Sequence, residues 1–472
     1  MRKGLHKVAD HAADFLESLS CRPPCGTATP SELFAGMDRP FPEEGAPATE
    51  VIEELVRNVE NGLIASAGPR YFGFVVGGAT RAGLMADWLT SAWDQNAQVY
   101  ATSPVAAIAE QIVERWLLEM LALPKGSSVG FVTGCQMANF TALSVARNAV
   151  LEKAGWNLDE RGLFGAPPIR IVMSDCGHAT IRSAARLSGF GTDQIRSVSS
   201  DSEGRIDLVA LEAEIRRDSG QPLILSLQAG NVNTGAFEPV DSIADLVEGE
   251  NVWIHVDGAF GLWAAVSPKW NDQVRGWQRA DSWSTDAHKW LNAPNDSGLV
   301  VIKDSALHQR FKTSRCDYAG EESAERRDGS AFVPENSRRG RAFVLYAVLR
   351  ELGRSGVQEI VERCCSLATS FATEVQEISG AAVLNEVVLN QVLIRFESPA
   401  HLSDVQFHHA IASHVQRAGH CWLGTTSWQG APALRVSICN WSTSEADVSV
   451  LLEDLRVAVR ACSVGCPDET GA

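Results

Sequence analysis

The segment "VWIHVDGAFGLW", residues 252–263, gives the clearest indication of the fold. It begins with a short β-branched run, reaches Asp257, and continues into a glycine-containing turn. Similar runs occur at 169–174 ("IRIVMS"), 222–227 ("PLILSL") and 298–302 ("GLVVI"), with helical stretches between them. This alternation predicts an α/β fold with a mainly parallel sheet covered on both faces. The polar residues that end such strands are expected at the carboxyl edge of the sheet, where α/β proteins bind ligands.

The regions on either side of this pattern predict two smaller parts. The first twenty residues repeat apolar side chains at helical spacing, and a Pro- and Gly-rich connector at 21–47 is predicted to be irregular. After about residue 340, a long helix that is predicted to break near Gly356 precedes two strand-like runs, which is typical of a small α+β domain. We therefore divide the chain into an N-terminal helical arm with its connector (1–75), a large domain (76–335) and a small C-terminal domain (336–472).

Composition excludes several classes of function. The net charge of −17 over 472 residues argues against nucleic acid or an anionic membrane as partner. No stretch approaches the ~20 apolar residues that span a bilayer, and the N-terminus does not resemble a secretory signal, so a cytoplasmic location is expected. The 11 cysteines are odd in number and scattered, which is not a disulfide framework. The histidines of "FHHAIASHVQRAGHC" (407–421) do not share one helix face, so we predict no metal site.

Four features that flank the predicted strands could meet at the edge of the sheet. Asp257 follows a strand directly, where it either caps a helix or faces a cationic ligand. Lys289, in "DSWSTDAHKWLN", is either an exposed turn lysine or a desolvated amine whose lowered pKa suits Schiff-base formation with an aldehyde. Gly134 opens a helix whose N-terminus could bind an anion, although such turns are common in any α/β protein. His178 follows another strand and could be structural or catalytic.

Together these four features are more specific than any one of them. An aspartate, a lysine about thirty residues later, a glycine-led helix start and a histidine are the components of a site for pyridoxal 5'-phosphate (PLP). In such a site the lysine binds the aldehyde, the aspartate pairs with the pyridinium, the helix start takes the phosphate and the histidine stacks on the ring.

At these residues the chain resembles the group II pyridoxal-dependent decarboxylases, which include the aromatic amino acid and glutamate decarboxylases. The resemblance is carried by "GPRYFGFVVGGATRAGLMADWLTSAWDQN", "SPVAAIAEQIVERWLLEML", "HVDGAFG", "DAHKWLN" and "LRVSICNWST", which fall in the family's order and spacing. It implies PLP-dependent transferase fold type I, with an N-terminal helical arm, a large domain with a seven-stranded sheet and a small C-terminal domain. It also implies a homodimer with its active sites at the subunit interface.

The resemblance also implies roles for individual residues. Lys289 would bind PLP covalently, Asp257 would pair with its ring nitrogen, and His178 and Ala259 would cover its two faces. Residues expected around the phosphate and the rest of the cofactor are Gly134, Cys135, Gln136, Met137, Asn231, Asp286 and His288, and residues expected on the substrate side are Tyr71, Phe72 and Arg435.

The chain departs from the family pattern in three places. The phosphate turn reads "GCQM" where a Ser or Thr is usual, and Asn231 stands where many members have a threonine that contacts the cofactor. The loop at about 319–337 has no tyrosine, although Tyr318 stands at its entrance. Without that tyrosine, His178, Lys289 and Tyr318 could protonate Cα after decarboxylation, and His178 is preferred because an imidazole can hold a proton near neutral pH.

The predicted activity is decarboxylation of an L-amino acid to amine and CO₂ through an external aldimine and a quinonoid. Tyr71, Phe72 and Phe74 favour an aromatic or apolar side chain. Slow protonation of Cα in air predicts some aldehyde and peroxide beside the amine. The alternatives are another PLP-dependent carbon–carbon lyase or an aldehyde synthase, and a non-catalytic PLP-binding protein, against which the intact set of Lys289, Asp257 and His178 argues.

Overall fold

The computed structural model describes residues 1–217, 220–312 and 326–464. The chain forms two compact units, each built from separate stretches of sequence. The larger unit comprises Gly77–Thr369 and Asn385–Val392, and the smaller unit comprises Met1–Val76, Ser370–Leu384 and the chain from Leu393 onward. The three-part division at residues 75 and 335 remains a prediction.

The helices are distributed along the whole chain. In chain order they are α1 (Arg2–Ser18), α2 (Pro30–Met37), α3 (Ala48–Val59), α4 (Arg81–Trp93), α5 (Pro104–Met120), α6 (Cys135–Lys153), α7 (Leu158–Arg161), α8 (Ala179–Leu187), α9 (Leu208–Arg217), α10 (Val240–Leu246), α11 (Ser305–Arg310), α12 (Ala342–Val375), α13 (Asp404–Ala418) and α14 (Glu445–Ser463).

The larger unit contains a seven-stranded sheet in the order β1-β7-β6-β5-β4-β2-β3. The four neighbouring pairs in the spatial order β3-β2-β4-β5-β6 are parallel, and β7 is antiparallel to both of its neighbours, β6 and β1. The prediction of a mainly parallel sheet is therefore confirmed. The strands are β1 (Ser128–Val132), β2 (Arg170–Ser174), β3 (Ile195–Val198), β4 (Leu223–Gln228), β5 (Val252–Asp257), β6 (Ser282–Asp286) and β7 (Gly298–Ile302).

The direction of the strands places several loops at one edge of this sheet. The carboxyl ends of β2, β4, β5 and β6 lie together because these strands are parallel. Strand β1 runs in the same direction, since both β1 and β6 are antiparallel to β7. The turn at Gly134, the loop before His178, Asp257 and Asp286 therefore share the carboxyl edge that was predicted to bind a ligand.

Helix α6 packs tightly on this sheet. Ala138, Ala142 and Ala146, one helical turn apart, are fully buried in the core together with Ile171 and Ile224 of the strands. Small side chains at this spacing allow the helix backbone to approach the sheet closely. This packing fixes the start of α6, and with it the turn at Gly134, at the carboxyl edge.

The smaller unit contains a four-stranded sheet and the N-terminal helices. Its sheet has the order β10-β11-β9-β8, with β8 antiparallel to β9 and β10 antiparallel to β11. The chain at Phe72 lies beside this sheet, where its N–H donates to the carbonyl of Trp422. The strands are β8 (Ala381–Val383), β9 (Gln391–Phe396), β10 (Gly424–Trp428) and β11 (Ala431–Ser437).

Three details differ from the sequence predictions. The connector at 21–47 is not wholly irregular, because Thr29 caps helix α2 with Glu32 as its reciprocal partner. The long helix α12 is interrupted at Gly353, whose φ of 59° lies in the left-handed region, rather than at Gly356. Strand β6 was not predicted, because Ser, Thr and Asp make up most of it.

Within the described residues, no helix combines the length and the apolar character needed to cross a bilayer.

Candidate active site

Asp257 ends β5 as a buried carboxylate with two hydrogen-bond donors. The side-chain amide of Asn139 donates to Oδ2 (3.2 Å), and the backbone N–H of Ala259 donates to Oδ1 (3.2 Å). Burial raises the pKa of this carboxyl, while the nearby charges of His178 and Lys289 and the two donors lower it in part. The net pKa stays above its usual value, and the carboxylate is held in one orientation at the sheet edge.

Lys289 lies three residues beyond β6 and forms an ion pair with Asp286. Its Nζ is 2.9 Å from Asp286 Oδ2. Burial lowers the pKa of the Lys289 ammonium, but the Asp286 carboxylate and its hydrogen bond raise the pKa above its usual value. The expectation of a lowered pKa from desolvation alone was therefore wrong, because the sequence pattern did not reveal the ion pair.

The turn before α6 brings a glycine, a carboxylate and an unsatisfied amide together. The N–H of Cys135 donates to Asp286 Oδ1 (2.6 Å), and burial raises the pKa of the Cys135 thiol well above its usual value, so the thiol is neutral. A Cβ on residue 298 would lie 2.3 Å from the Cα of Gly134, so β7 can approach the turn this closely only because residue 298 is glycine. The side-chain nitrogen of Gln136 is buried and has no hydrogen-bond partner among the described residues.

Two further residues that are expected near the phosphate, Met137 and His288, already make hydrogen bonds. The N–H of Met137 donates to the Gly134 carbonyl (3.0 Å), and its role toward the phosphate remains a prediction. His288 accepts a hydrogen bond from the Ser297 N–H at Nδ1 (3.1 Å), and its Nε2 is 3.7 Å from Asp286 Oδ1. Burial lowers the pKa of His288, so its imidazole is neutral at physiological pH.

His178 caps the N-terminus of α8. Its Nδ1 accepts a hydrogen bond from the backbone N–H of Thr180 (3.3 Å) and is 2.8 Å from the Thr180 hydroxyl oxygen. His178 follows β2, whose carboxyl end lies at the same sheet edge as those of β5 and β6, and its charge lowers the pKa of Asp257 in part. The structure thus brings His178, Asp257, Lys289 and the start of α6 together, as the sequence predicted.

Asn231 holds the loop that leads to His178. Its side-chain nitrogen donates to the carbonyl of Cys176 (3.4 Å) and its oxygen accepts from the N–H groups of Asn233 (2.9 Å) and Thr234 (3.3 Å). Asn231 is almost fully buried. These contacts give the side chain a role in supporting the loop, in addition to the predicted contact with the cofactor.

Tyr71, Phe72 and Arg435, the residues predicted on the substrate side, belong to the smaller unit. Tyr71 stacks on Trp422, with ring centroids 4.8 Å apart, and Arg435 donates to the carbonyl of Phe74 (3.1 Å). Burial lowers the pKa of Arg435. Phe72 is only 1% exposed and is part of the core of its unit, whereas Phe74, which also stacks on Trp422, is 61% exposed.

The sequence prediction missed the residues that support the site. Asn139, His255, Ser282 and Ser284 form one buried hydrogen-bonded group behind Asp257. A signal was present, because His255 and Asp257 are two residues apart and therefore face the same side of β5. Tyr318 and residues 319–325 of the predicted loop lie outside the described residues.

The residues at the carboxyl edge fit PLP. Lys289 supplies an amine for the aldehyde, and Asp257 supplies a fixed carboxylate for the ring nitrogen. The unsatisfied nitrogen of Gln136 and the start of α6 supply donors for a phosphate. A buried donor without a partner is costly unless a ligand accepts its hydrogen bond.

Comparison with known proteins agrees with this assignment. The profile described as "Pyridoxal-dependent decarboxylase conserved domain" matches residues 30–397. An aromatic-L-amino-acid decarboxylase of Bacillus atrophaeus is 27% identical, over 99% of this chain and 97% of that protein. An acidic amino acid decarboxylase of Xenopus tropicalis is also 27% identical, over 77% of this chain and 71% of that protein.

A crystal structure of Oryza sativa TDC with PLP and tryptamine has the same fold. Its TM-score to this chain is 0.90 at 23% identity, over 98% of this chain and 97% of that one. The predicted fold type I is therefore confirmed, and PLP is the cofactor. The chain belongs to the pyridoxal-dependent decarboxylase family, a family of PLP-dependent carboxy-lyases.

Proposed function

We propose that this protein decarboxylates an L-amino acid with an aromatic or apolar side chain to the amine and CO₂. The observation that carries the proposal is the cluster of Lys289, Asp257 and His178 at one edge of the sheet. A non-catalytic PLP-binding protein would need the lysine and the aspartate but would have no use for a titratable histidine at the same edge of the sheet.

The side chains have separate roles in this proposal. Lys289 would hold the cofactor covalently through Nζ, and Asp257 would accept a hydrogen bond from its ring nitrogen. His178 and Ala259 would pack against the ring. When bound, PLP supplies an electron sink for the electron pair that the departing carboxylate leaves on Cα. Donors for the phosphate and supports for the cofactor would come from Gly134, Cys135, Gln136, Met137, Asn231, Asp286 and His288.

Protonation of Cα completes the reaction. We assign the donor to His178, because its imidazole can carry a proton near neutral pH and its side chain lies beside Asp257. A protonation step that depends on one histidine leaves the carbanion open to oxygen for longer. The expected products in air are therefore mainly amine and CO₂, with a smaller amount of aldehyde and peroxide.

The aromatic residues of the smaller unit support the substrate preference. Tyr71, Trp422 and Phe74 form a continuous stack with centroid distances of 4.8 and 5.3 Å. Phe74 has a φ of 58°, a left-handed conformation that is unfavourable for a non-glycine residue. A strained, exposed aromatic ring on such a stack is typical of a surface that contacts a ligand. Arg435, which bonds the carbonyl of Phe74, is our candidate for the substrate carboxylate.

The experiment that tests this function is a panel of L-amino acids assayed for both CO₂ and amine, in air and under nitrogen. We expect aromatic amino acids to release CO₂ and amine in nearly equal amounts. Lys289→Ala should abolish both products, whereas Lys125→Ala, at an exposed position, is the matched control and should not. Acidic amino acids as better substrates would refute the substrate class. Aldehyde as almost the only product in air would refute the decarboxylase activity in favour of aldehyde synthesis.

A homodimer is also part of the proposal, and exposed apolar side chains support it. In the smaller unit, Leu5 on α1 and Val51 on α3 are exposed, and in the larger unit Met85 and Trp93 on α4 are exposed. Large contiguous apolar patches usually mark contacts with other proteins, and we propose that these side chains belong to such patches. A second copy of this chain is the partner that we propose.

A cytoplasmic location is proposed on the basis of the cysteines. None of the nine cysteines in the described part of the chain takes part in a disulfide. Proteins of reducing compartments keep their thiols in this form.

A further inference from the structure

A chain of hydrogen bonds runs from the core of the larger unit to His178. It begins at Trp253, whose indole N–H donates to Ser282 Oγ (2.8 Å), and Ser282 Oγ is 2.9 Å from His255 Nδ1. His255 Nε2 is 3.0 Å from Asn139 Oδ1, which also accepts from the hydroxyl of Ser284 (2.6 Å). Each step joins buried atoms, so water does not compete with these contacts.

The direction of each hydrogen bond follows from the chemistry of the groups. Asp257 is a carboxylate and accepts, so the amide nitrogen of Asn139 must face it and the amide oxygen must face His255 and Ser284. His255 therefore carries its proton on Nε2, and its Nδ1 accepts from the hydroxyl of Ser282. Burial lowers the pKa of His255 to about 3, so this ring is neutral throughout the physiological range.

This series of hydrogen bonds reaches His178 through Thr180. The amide nitrogen of Asn139 lies 3.5 Å from Thr180 Oγ1, a weak contact in which the hydroxyl oxygen accepts. Thr180 Oγ1 lies 2.8 Å from His178 Nδ1, and the backbone N–H of Thr180 donates to the same nitrogen (3.3 Å). A backbone N–H can only donate, so His178 Nδ1 is the acceptor in this arrangement.

We propose that Thr180, supported by Asn139, is a positioning residue that holds His178 as the tautomer with its proton on Nε2. The inference rests on the proposed function in one respect, because it assumes that His178 is the proton donor to Cα. It goes beyond that function because it names the residue that decides which ring nitrogen carries the proton. The hydrogen bond to the other nitrogen is the usual determinant of a histidine tautomer.

Thr180 also determines how readily His178 can take up a second proton. A proton on Nδ1 needs an acceptor, and the backbone N–H cannot supply one, whereas the Thr180 hydroxyl can turn from donor to acceptor. The negative charge of the Asp257 carboxylate, which interacts electrostatically with His178, favours the resulting imidazolium. The hydroxyl is therefore the only group of Thr180 that can hydrogen-bond to Nδ1 both when this nitrogen is unprotonated and when it carries a proton.

The proton balance of the step follows from this arrangement. At rest His178 carries its proton on Nε2; it takes a second proton from solvent at Nδ1, and the resulting imidazolium gives its Nε2 proton to Cα, whose electron pair forms the new C–H bond. The neutral ring that remains carries its proton on Nδ1, and the Thr180 oxygen accepts the hydrogen bond from it. Solvent then returns a proton to Nε2 and accepts the proton from Nδ1, which restores the resting tautomer, so each turnover takes up one proton from solvent.

The first test reads the tautomer directly and needs no turnover. Protein labelled with ¹⁵N-histidine is studied by NMR across pH, and the His178 signals are identified by their loss in His178→Gln. We expect neutral His178 to show an unprotonated Nδ1 and a protonated Nε2. A proton on Nδ1, or an equal mixture of the two tautomers, would overturn the proposal.

The second test compares Thr180→Val with Thr180→Ser. Valine keeps the shape and the backbone N–H but removes the hydroxyl, while serine restores it. Loss of a hydrogen bond to a charged group corresponds to roughly a tenfold change in population. We therefore expect the pH at which His178 becomes doubly protonated to fall in Thr180→Val, and the ratio of aldehyde to amine in air to rise several-fold. Thr180→Ser should resemble the wild type, and equal behaviour of the two variants would refute the proposal.

The outcomes separate this inference from the proposed function. If the tautomer is as expected but the wild type releases no CO₂, the function fails and the inference about Thr180 stands. If Thr180→Val keeps CO₂ release, cofactor absorbance and the pH titration of His178 unchanged, the inference fails and the function stands. Thermal unfolding of both variants shows whether the fold is intact.

Discussion

Replacement of Asp286 by asparagine should make Lys289 far more reactive toward aldehydes. In the structure the two side chains form a 2.9 Å ion pair, and the Asp286 carboxylate raises the pKa of the lysine despite its burial. A hydrogen bond between charged groups contributes about 1.5–3 kcal/mol. Its loss corresponds to roughly a 10- to 100-fold larger fraction of neutral amine at a pH below the lysine pKa.

The assay uses pyridoxal without its phosphate, so that changes at the phosphate turn do not contribute. The rate of its covalent attachment to cofactor-free protein is followed by absorbance between pH 6 and 10, and borohydride reduction with mass spectrometry locates the modified lysine. Because only the neutral amine reacts, the rate rises with pH toward the lysine pKa. The curve of Asp286→Asn should lie at lower pH than that of the wild type.

The control variant is Asp272→Asn, which removes an exposed carboxylate that pairs with Arg275. It should leave the curve unchanged. Coincident curves for Asp286→Asn and the wild type would refute the reasoning, because the ion pair would then contribute nothing to the protonation of Lys289.

Three further predictions concern the cofactor, pH stability and assembly. Purified wild type should absorb near ~420 nm as a protonated Schiff base of PLP, and Lys289→Ala should lose both this band and the borohydride-fixed cofactor; retention of either would contradict the assignment. Burial raises the pKa of Glu238 from 4.5 to about 8, so its contribution to stability is present below pH 4.5 and is lost as pH rises through 8. Between pH 5 and 9 the free energy of unfolding, measured with urea, should therefore fall less for Glu238→Gln than for the wild type, by at most about 5 kcal/mol. An equal fall for the two proteins would refute this. Light scattering at low micromolar concentration should show a dimer, with an interface that we expect to exceed ~2,000 Å², and a stable active monomer would exclude it.

The sequence was sufficient for the main features of the fold because they depend on local patterns. Apolar β-branched runs predicted β2, β4, β5 and β7, and their order placed Asp257 at the carboxyl edge. Strand β6 was missed because its pairing with β5 and β7, and not the β propensity of its own side chains, makes this segment a strand. Helix α2 was missed because its capping residues lie among Pro and Gly residues that usually mark loops.

The supporting residues of the site could not be predicted in the same way. Asn139 bonds Asp257, which is 118 positions away, and His255, which is 116 positions away. Such contacts depend on how a helix lies on a sheet, and no local pattern specifies them. The raised pKa of Lys289 has the same origin, because the orientation of Asp286 toward the amine is visible only in three dimensions.

The most direct test of the central claim is the stoichiometry of CO₂ and amine from a carboxyl-labelled aromatic L-amino acid, measured with PLP-loaded wild type and with Lys289→Ala. The account predicts labelled CO₂ and the corresponding amine in nearly equal amounts from the wild type and neither product from the variant. Turnover without labelled CO₂, or equal CO₂ release by the variant, would contradict it.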